Sequence, residues 1–391
     1  MTTLPIAMTI AIALAGIVAA PRRTLTRATL LLTFATVAAL SALFCARTVD
    51  AVALLLPVSL LPCWFTVADP QARPELRAAC GWVLAGTGMP LIVVAGLRAS
   101  GVDAASPMVV SLVLTALLVR LAIPPFHGWL PVLLEHAPPS LALLVASASV
   151  TPFLLAHVLW PSAGVVLEQA RPVLVALGLA GSLYGALLGL VQTHLRRAVG
   201  YVLVSQWGAV LVALAAATPE STTGALLASV ALGLTSSALV ILAWAIENRT
   251  GSASMDHQGG LVAVAPHLAV AFLAFGFAHV GFPGSLAFVA EDLMLHGVLA
   301  GHPIVGGFVL AASALNAITV FRAYQRTFLG PRPAGAGAIA DLVPRERAVA
   351  AILLVLVMLA GVFPGPIVSW ALRGVVPGPH AEARQSESPR G

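Results

Sequence analysis

The ionisable side chains inside the long apolar stretches of this sequence are few, and the chemistry they could carry is proton transfer. The candidates among them for such a role are Arg120, His127, His279, Glu291 and Asp292. Each is a candidate functional residue, because an ionisable group in hydrocarbon is costly to place. Carboxylates and imidazoles exchange protons, whereas arginine stays protonated in proteins. Since no nucleotide-binding loop, catalytic triad or zinc-ligand spacing accompanies them, the set indicates an ion path rather than a catalytic centre.

The acidic candidates follow an interruption in an apolar stretch. His279 comes just before Gly281-Phe282-Pro283-Gly284, and Glu291 and Asp292 lie two turns beyond it. A carboxylate beside a helix break could accept a proton from water that enters there. Alternatively, both acids lie at the aqueous end of a half-helix and only cap it.

A second interruption contains Pro124 and Pro125, between Arg120 and His127. Prolines remove backbone donors and leave carbonyl groups without partners. His127 could therefore be a proton relay or a hydrogen-bond donor that stabilises the break. Arg120 can hold an anion or a carboxylate but cannot shuttle a proton. If the two breaks meet at the membrane midplane, Arg120 lies close to Glu291.

The composition places the chain in a membrane. Of its 391 residues, 59% are hydrophobic and only 9% are charged, whereas about 25% of the residues in a soluble domain are charged. Too few charges remain for a water-facing surface, which excludes a soluble enzyme. All 20 basic residues are arginine. They lie in short clusters at the ends of apolar runs, which is typical of orientation signals and not of nucleic-acid-binding patches.

Apolar runs long enough to cross a bilayer predict an all-α polytopic membrane protein of about twelve transmembrane helices. The predicted spans are 4–20, 25–46, 51–67, 78–98, 106–135, 139–160, 172–193, 197–217, 223–246, 262–300, 303–321 and 347–372. Those at 106–135 and 262–300 exceed one straight span and contain the proline interruptions. Each is therefore predicted to be one discontinuous helix.

The two discontinuous helices divide the chain. Each is the fourth in a run of five spans, so 25–160 and 161–330 are predicted to be inverted five-helix repeats. Residues 1–24 are predicted to be a retained first helix, because positive charges follow its apolar run and do not precede it. Residues 331–373 hold a loop and the last span, and the polar tail 374–391 is predicted to be disordered.

Charge and cysteine distribution complete the prediction. Arginine is concentrated in the odd-numbered loops, which places those loops in the cytoplasm and both termini outside a bacterial-type inner membrane. Cys45, Cys63 and Cys80 lie singly and form no ligand spacing, so we interpret them as packing residues. We expect no metal site and no bound cofactor.

Several motifs, in order along the chain, resemble the antiporter-like subunits of NADH-quinone oxidoreductase and of Mrp-type cation/proton antiporters. Residues 125–131, Pro-Phe-His-Gly-Trp-Leu-Pro, are similar to the family's PxHxWLP. Residues 195–208 resemble its DLKRxLAYSxxSQxG, and residues 281–291 resemble its GP followed by GFxxK/E. The resemblance covers about 45–372 and implies two inverted five-helix units, with this chain shortened at its N-terminus.

The same resemblance assigns roles to the candidates. It places Glu291 at the protonatable site of the second broken helix, and Arg120 where the family has a lysine. The family's glutamate in the span 51–67 falls at about Pro57. Without any lysine in the chain, the family's lysine switch cannot operate here.

The resemblance implies a proton-translocating membrane subunit that is driven by other membrane subunits and is not an enzyme alone. A peripheral redox or zinc-containing subunit is a further candidate partner. Two alternatives stay open: a non-pumping scaffold of the same fold, and the membrane subunit of an inorganic-carbon uptake complex with a zinc-containing partner. The identity of the ion, H⁺ or Na⁺, is open as well.

Overall fold

The computed structural model describes residues 2–19, 26–137, 148–332 and 339–372. Within them the chain is helical, and the only strand-like pairing is one antiparallel bridge between His194 and Ser254. The predicted disordered tail 374–391 and most of the first half of the predicted span 139–160 lie outside the described residues.

The helices are numbered here in chain order. They are α1 (Thr3–Ala19), α2 (Arg27–Cys45), α3 (Val49–Val58), α4 (Leu61–Ala68), α5 (Pro74–Ala99), α6 (Pro107–Arg120), α7 (Trp129–His136), α8 (Val150–Leu154), α9 (Trp160–Val191), α10 (Leu195–Ala216), α11 (Pro219–Thr250), α12 (Pro266–His279), α13 (Leu286–Gly301), α14 (Pro303–Phe328), α15 (Pro344–Val362) and α16 (Gly365–Leu372). A 3₁₀ turn (Phe126–Gly128) precedes α7, and a π-helical turn (Leu155–Leu159) joins α8 to α9.

Six described helices are long and apolar enough to cross a bilayer, or eight segments if each of two bent pairs counts as one span. This is fewer than the twelve predicted spans. The first helix has only 17 residues, the described part of 139–160 runs on into 172–193, and breaks divide 51–67, 106–135, 262–300 and 347–372 into shorter pieces. Two of these pieces, α6 and α12, end where the prolines of the predicted discontinuous helices begin.

Two bends were not predicted. The axis turns by 40° between α3 and α4 and by 77° between α15 and α16. Pro57 lies in the last turn of α3 and Pro62 in the first turn of α4, while Pro364 directly precedes α16. Each proline lacks the N–H that would continue the helical ladder, which accounts for a bend in an otherwise apolar segment.

The predicted loop at 161–171 is shorter than expected. The chain kinks at Ala163, whose φ of −146° and ψ of 34° leave the helical conformation, and two helical segments meet there, so residues 164–171 already belong to the second of them. The charges that suggested a loop, Glu168 and Arg171, form an ion pair of 2.5 Å one turn apart on the helix. Such pairs stabilise a helix at its polar end, so the charges lengthen α9 beyond its apolar part.

The centre of the bundle is formed by α10 and α11. In the most apolar stretch of each helix, 94% of the residues of α10 and 100% of those of α11 are buried, whereas only 33–39% are buried in the other long helices. Small residues allow α9 to approach α10 closely. A Cβ atom added at Gly208 would lie 2.4 Å from the Ser182 nitrogen, and one at Gly185 would lie 2.5 Å from the Ser205 nitrogen. Close backbone approach at small residues is typical of membrane helix pairs.

Candidate ion pathway

The first break separates α6 from α7. The chain leaves the helix after Arg120, with a positive φ of 51° at Ala122, and re-enters it at Trp129. Trp129 Nε1 donates a hydrogen bond of 2.8 Å to the carbonyl oxygen of Val119. The same carbonyl also accepts a 3.0 Å hydrogen bond from the Ala122 N–H, so the buried indole adds a second bond that ties the start of α7 to the end of α6, a stabilising role that the sequence suggested for His127.

Arg120 lies at the end of α6 and is completely buried. Its Nη2 donates a 3.4 Å hydrogen bond to Ser59 Oγ, at the bend between α3 and α4. Cys63, in α4, is close enough to interact with it electrostatically. The first break thus holds a buried cation against the bend of the neighbouring helix pair.

His127 is half-buried in the 3₁₀ turn and packs against α9. Its ring meets that of Tyr184 edge to face, with centroids 4.9 Å apart. Its Nδ1 has no hydrogen-bond partner among the described residues. The ring is thus held by packing, with one nitrogen left for water or a proton.

The second break separates α12 from α13. Gly281 and Gly284 adopt positive φ angles of 76° and 91°, and the Ser285 hydroxyl accepts a hydrogen bond from the Phe288 N–H at the start of α13. The left-handed backbone favours glycine at both positions. This conformational requirement is the reason why the two glycines predicted the break.

Glu291 lies in α13 with its half-buried carboxylate turned back to the break. A Cβ atom at Gly281 would lie only 2.2 Å from Glu291 Oε2, so the missing side chain makes room for the carboxylate. The Ser313 side chain of α14 lies close enough to the same carboxylate to interact with it. These partners do not include Arg120, whose proximity we had expected.

Asp292 points elsewhere. Its side chain is 56% exposed and lies 3.4 Å from His296 Nδ1, one turn along the helix. Adjacent residues on a helix do not share a face. Glu291 and Asp292 therefore do not form a carboxylate pair, and Asp292 lies outside the buried polar groups of the bundle.

His279 is buried at the end of α12. Its Nδ1 lies 2.8 Å from the Thr235 hydroxyl of α11, which itself donates a 2.8 Å bond to the Ala231 carbonyl. Because that hydroxyl proton is used, Nδ1 is the donor to Thr235. Its Nε2 has no hydrogen-bond partner within the described part of the chain. His279 thus presents an acceptor nitrogen inside the bundle, two residues from Gly281.

Neutral polar side chains extend this site through the bundle. Gln206 Nε2 donates to the His279 carbonyl at 3.5 Å. The Ser205 hydroxyl donates to the Ser182 carbonyl at 2.7 Å and accepts from Asn316 Nδ2 at 2.8 Å. The buried network therefore links α9, α10, α11, α12 and α14.

One charged residue outside the membrane-spanning segments positions α12. The Asp341 carboxylate accepts hydrogen bonds of 3.0 Å from the N–H groups of His267 and Leu268, in the first turn of that helix. Burial raises the pKa of Asp341, but the hydrogen bonds from His267 and two neighbouring backbone N–H groups outweigh it and hold the pKa below its ordinary value. The helix that carries His279 is thus fixed at its start by an ionised cap.

A profile of the NADH:quinone oxidoreductase/Mrp antiporter transmembrane family matches residues 81–319, which is more than half of the chain and includes both breaks. The chain belongs to this family. The resemblance inferred from the motifs is thereby confirmed. Family membership also agrees with the apolar helices, since its members are multi-pass membrane subunits.

Relatives in this family include respiratory-chain subunits. NADH-quinone oxidoreductase subunit M of Mycobacterium tuberculosis is 32% identical over 248 residues, or 62% of this chain and 44% of that protein. F(420)H(2) dehydrogenase subunit M of Methanosarcina mazei is 30% identical over 261 residues, or 65% of this chain and 52% of that protein. The chain thus matches about half the length of these curated relatives.

Solved structures share the fold. A chain of respiratory complex I from Thermus thermophilus superposes with a TM-score of 0.83 at 23% identity, over 96% of this chain and 84% of that chain. A chain of the Mrp complex from Dietzia sp. gives a TM-score of 0.79 at 20% identity, over 96% and 82%. At such identities the likeness concerns the fold alone.

Proposed function

We propose that this chain is a proton-translocating, antiporter-like membrane subunit of a multi-subunit complex of the NADH-quinone oxidoreductase or Mrp type. The observation that carries the proposal is the Glu291 carboxylate, held against Gly281 at a helix break with the Ser313 side chain close to it. A carboxylate in that position can take a proton from water at the break and return it. Family membership supports the same class of function.

The proposed path continues from Glu291 across the break to His279 and the polar residues around it. His279 offers Nε2 as an acceptor and holds a proton on Nδ1, which suits an imidazole relay. Arg120 and His127 form the corresponding polar site at the first break. Arg120 contributes fixed charge there, because a guanidinium does not release its proton. Asp292 takes part in the proposed path only as an exposed residue on the outer face of α13.

We propose twelve spans in two inverted five-helix repeats, 25–160 and 161–330, after a first helix at 1–24. Each repeat contains one of the two breaks, and the superposition on complex I and Mrp chains over most of this chain supports the assignment. The segment 331–373 then supplies the last span. The partners are other membrane subunits, and the location is a bacterial-type inner membrane.

Co-purification tests which complex the chain joins. We expect a tagged chain, extracted gently from its own membranes, to carry other membrane subunits of respiratory or Mrp type at fixed stoichiometry. A mock-tagged unrelated membrane protein from the same cells is the control. Recovery with a large zinc protein in their place would favour the inorganic-carbon uptake alternative, and recovery of the chain alone would contradict the proposed complex.

The orientation gives a separate prediction. In a variant without its native cysteines, Ser100→Cys is expected to react with a membrane-impermeant thiol reagent added to intact cells, whereas Gln71→Cys is not. Both residues are exposed, and they lie at opposite ends of α5. The two cysteines should therefore differ only in the side of the membrane that they face. The opposite labelling pattern would invert the topology. The cytoplasmic loop position Ala336, an equivalent site for labelling, lies outside the described residues.

A non-pumping scaffold remains the second candidate. The observation in its favour is the sequence itself, which has no lysine and has Pro57 at about the position of the family's glutamate in the span 51–67. A scaffold would keep the bundle and its partners but would not need an ionisable Glu291. Substitution of that residue separates the two functions.

A further inference from the structure

A large open groove lies on the side of the bundle, away from the buried polar network. Its volume is about 880 Å³, and it runs between α5, the end of α6 and α7. Its lining is mostly apolar and includes Trp82, Met89, Val119, Phe126, Trp129 and Val132. Sites for small organic ligands occupy roughly 300–1,000 Å³, so the groove has the capacity of a ligand site.

The groove has the length of one bilayer leaflet. Its lining includes Glu75 in the first turn of α5 and Pro90 four turns later. At 1.5 Å per residue the distance between them is about 22 Å. Half of a bilayer, headgroups included, measures roughly 20–22 Å. A transmembrane helix of another subunit would need a surface along the whole hydrocarbon core, so the length favours a lipid of one leaflet.

Charges of both signs collect at one end of the groove. Glu75, Glu135, His136 and Arg197 line that end. Arg73 Nη1, 3.4 Å from His136 Nδ1, joins the start of α5 to the end of α7 and so places these charges together.

The basic group at this end is accessible. Arg197 Nη1 lies 3.5 Å from Glu135 Oε2, and 40% of the arginine side chain is exposed. An ion pair as long as this, with an exposed arginine, contributes little, so both groups can take a ligand of opposite charge. A headgroup that combines an anion with a hydrogen-bond-donating cation complements this end of the groove.

We infer that the groove binds one zwitterionic aminophospholipid of the phosphatidylethanolamine class. Arg197 donates to the phosphate, while Glu75 and Glu135 accept from the ammonium group. An acyl chain lies along Trp82 and Met89. This site is independent of the proposed proton path and of the complex that the chain joins.

The far end of the groove reaches the first helix break. Pro125, Phe126 and Gly128 line it there, and the lining residues Val119 and Trp129 are joined by the hydrogen bond that closes the break. The bound acyl chain therefore packs directly on the segment that separates Arg120 from α7.

Native mass spectrometry of the full chain, with any subunits that co-purify, tests this inference. The protein in detergent is incubated with phosphatidylcholine vesicles that contain minor amounts of phosphatidylethanolamine and phosphatidylglycerol. We expect one retained phosphatidylethanolamine per chain, enriched about tenfold over the other two lipids, because only its headgroup supplies both charges and ammonium hydrogens. Equal retention of phosphatidylglycerol, a retained quinone in its place, or no retained lipid would each overturn the inference.

Two pairs of variants make the test specific to the groove. Arg197→Gln is expected to lower retention about tenfold, whereas Arg326→Gln, which also breaks an exposed ion pair, leaves it unchanged. Ala78→Phe fills the groove near its charged end and is expected to abolish retention. The control Ala95→Phe adds the same ring to the exposed surface of α5, outside the lining. If each variant and its control retain phosphatidylethanolamine equally, the lipid lies elsewhere and the inference is wrong.

Discussion

Replacement of Glu291 by glutamine is expected to lower proton transport by the assembled complex at least about a hundredfold, the lower range for removal of a proton-transfer group. Glutamine fills the same space beside Gly281 and Ser313 and remains able to form hydrogen bonds. It cannot release a proton at any workable pH. Assembly should therefore be preserved while transport is lost, which is the combination that distinguishes a proton carrier from a structural residue.

The measurement is proton uptake into vesicles that contain the complex, normalised to the amount of assembled complex. Glu220→Gln is the matched control, because Glu220 lies exposed in the first turn of α11, away from both breaks. We expect the control to transport at the wild-type rate. Wild-type transport by an assembled Glu291→Gln complex would make Glu291 structural and put the scaffold function first.

The second large effect is expected at Arg120. Arg120→Gln removes a fully buried cation from the first break and is expected to slow proton transport about tenfold, because the proposed polar site at that break, which includes His127, loses its fixed charge, an effect worth roughly one pKa unit or more. Arg120→Lys keeps the charge but loses the planar fork that reaches Ser59. It should therefore retain most of the rate, with a smaller loss from altered geometry.

The contrast between the two Arg120 variants carries this prediction. Rates are compared per assembled complex, so that a loss of folded protein does not count as a loss of transport. An electrostatic role predicts that lysine transports distinctly faster than glutamine. If both variants transport normally, Arg120 has no electrostatic role and its assignment to the path is wrong.

Much of this fold could be predicted from the sequence because breaks in membrane helices have strong local causes. Pro124, Pro125 and the Gly281–Gly284 turn each remove a donor or require a left-handed backbone, and both breaks lie where these residues predicted them. Single prolines inside shorter spans gave a weaker signal. The bends beside Pro57 and Pro364 were therefore missed, because a lone proline is also compatible with a straight span.

The site was predicted less completely than the fold. Charge in an apolar run indicated Glu291 and His279, whereas Thr235 and Asn316 carry no charge and gave no such signal. A lone asparagine in the apolar run of α14 is a signal that could have been used. The hydrogen bond of Trp129 to Val119 could not be read from the sequence, since it depends on how the chain folds back after the break.

The most direct test of the account is infrared difference spectroscopy of the complex during turnover, in the region of the carboxylic acid C=O stretch. If Glu291 takes up and releases protons, the wild-type spectrum contains a band that shifts in D₂O and is absent from the Glu291→Gln variant. The Glu220→Gln control keeps that band. Identical difference spectra for the wild type and the Glu291→Gln variant, with turnover of the driving reaction verified in both, would contradict the central claim that Glu291 is the protonatable group of the path.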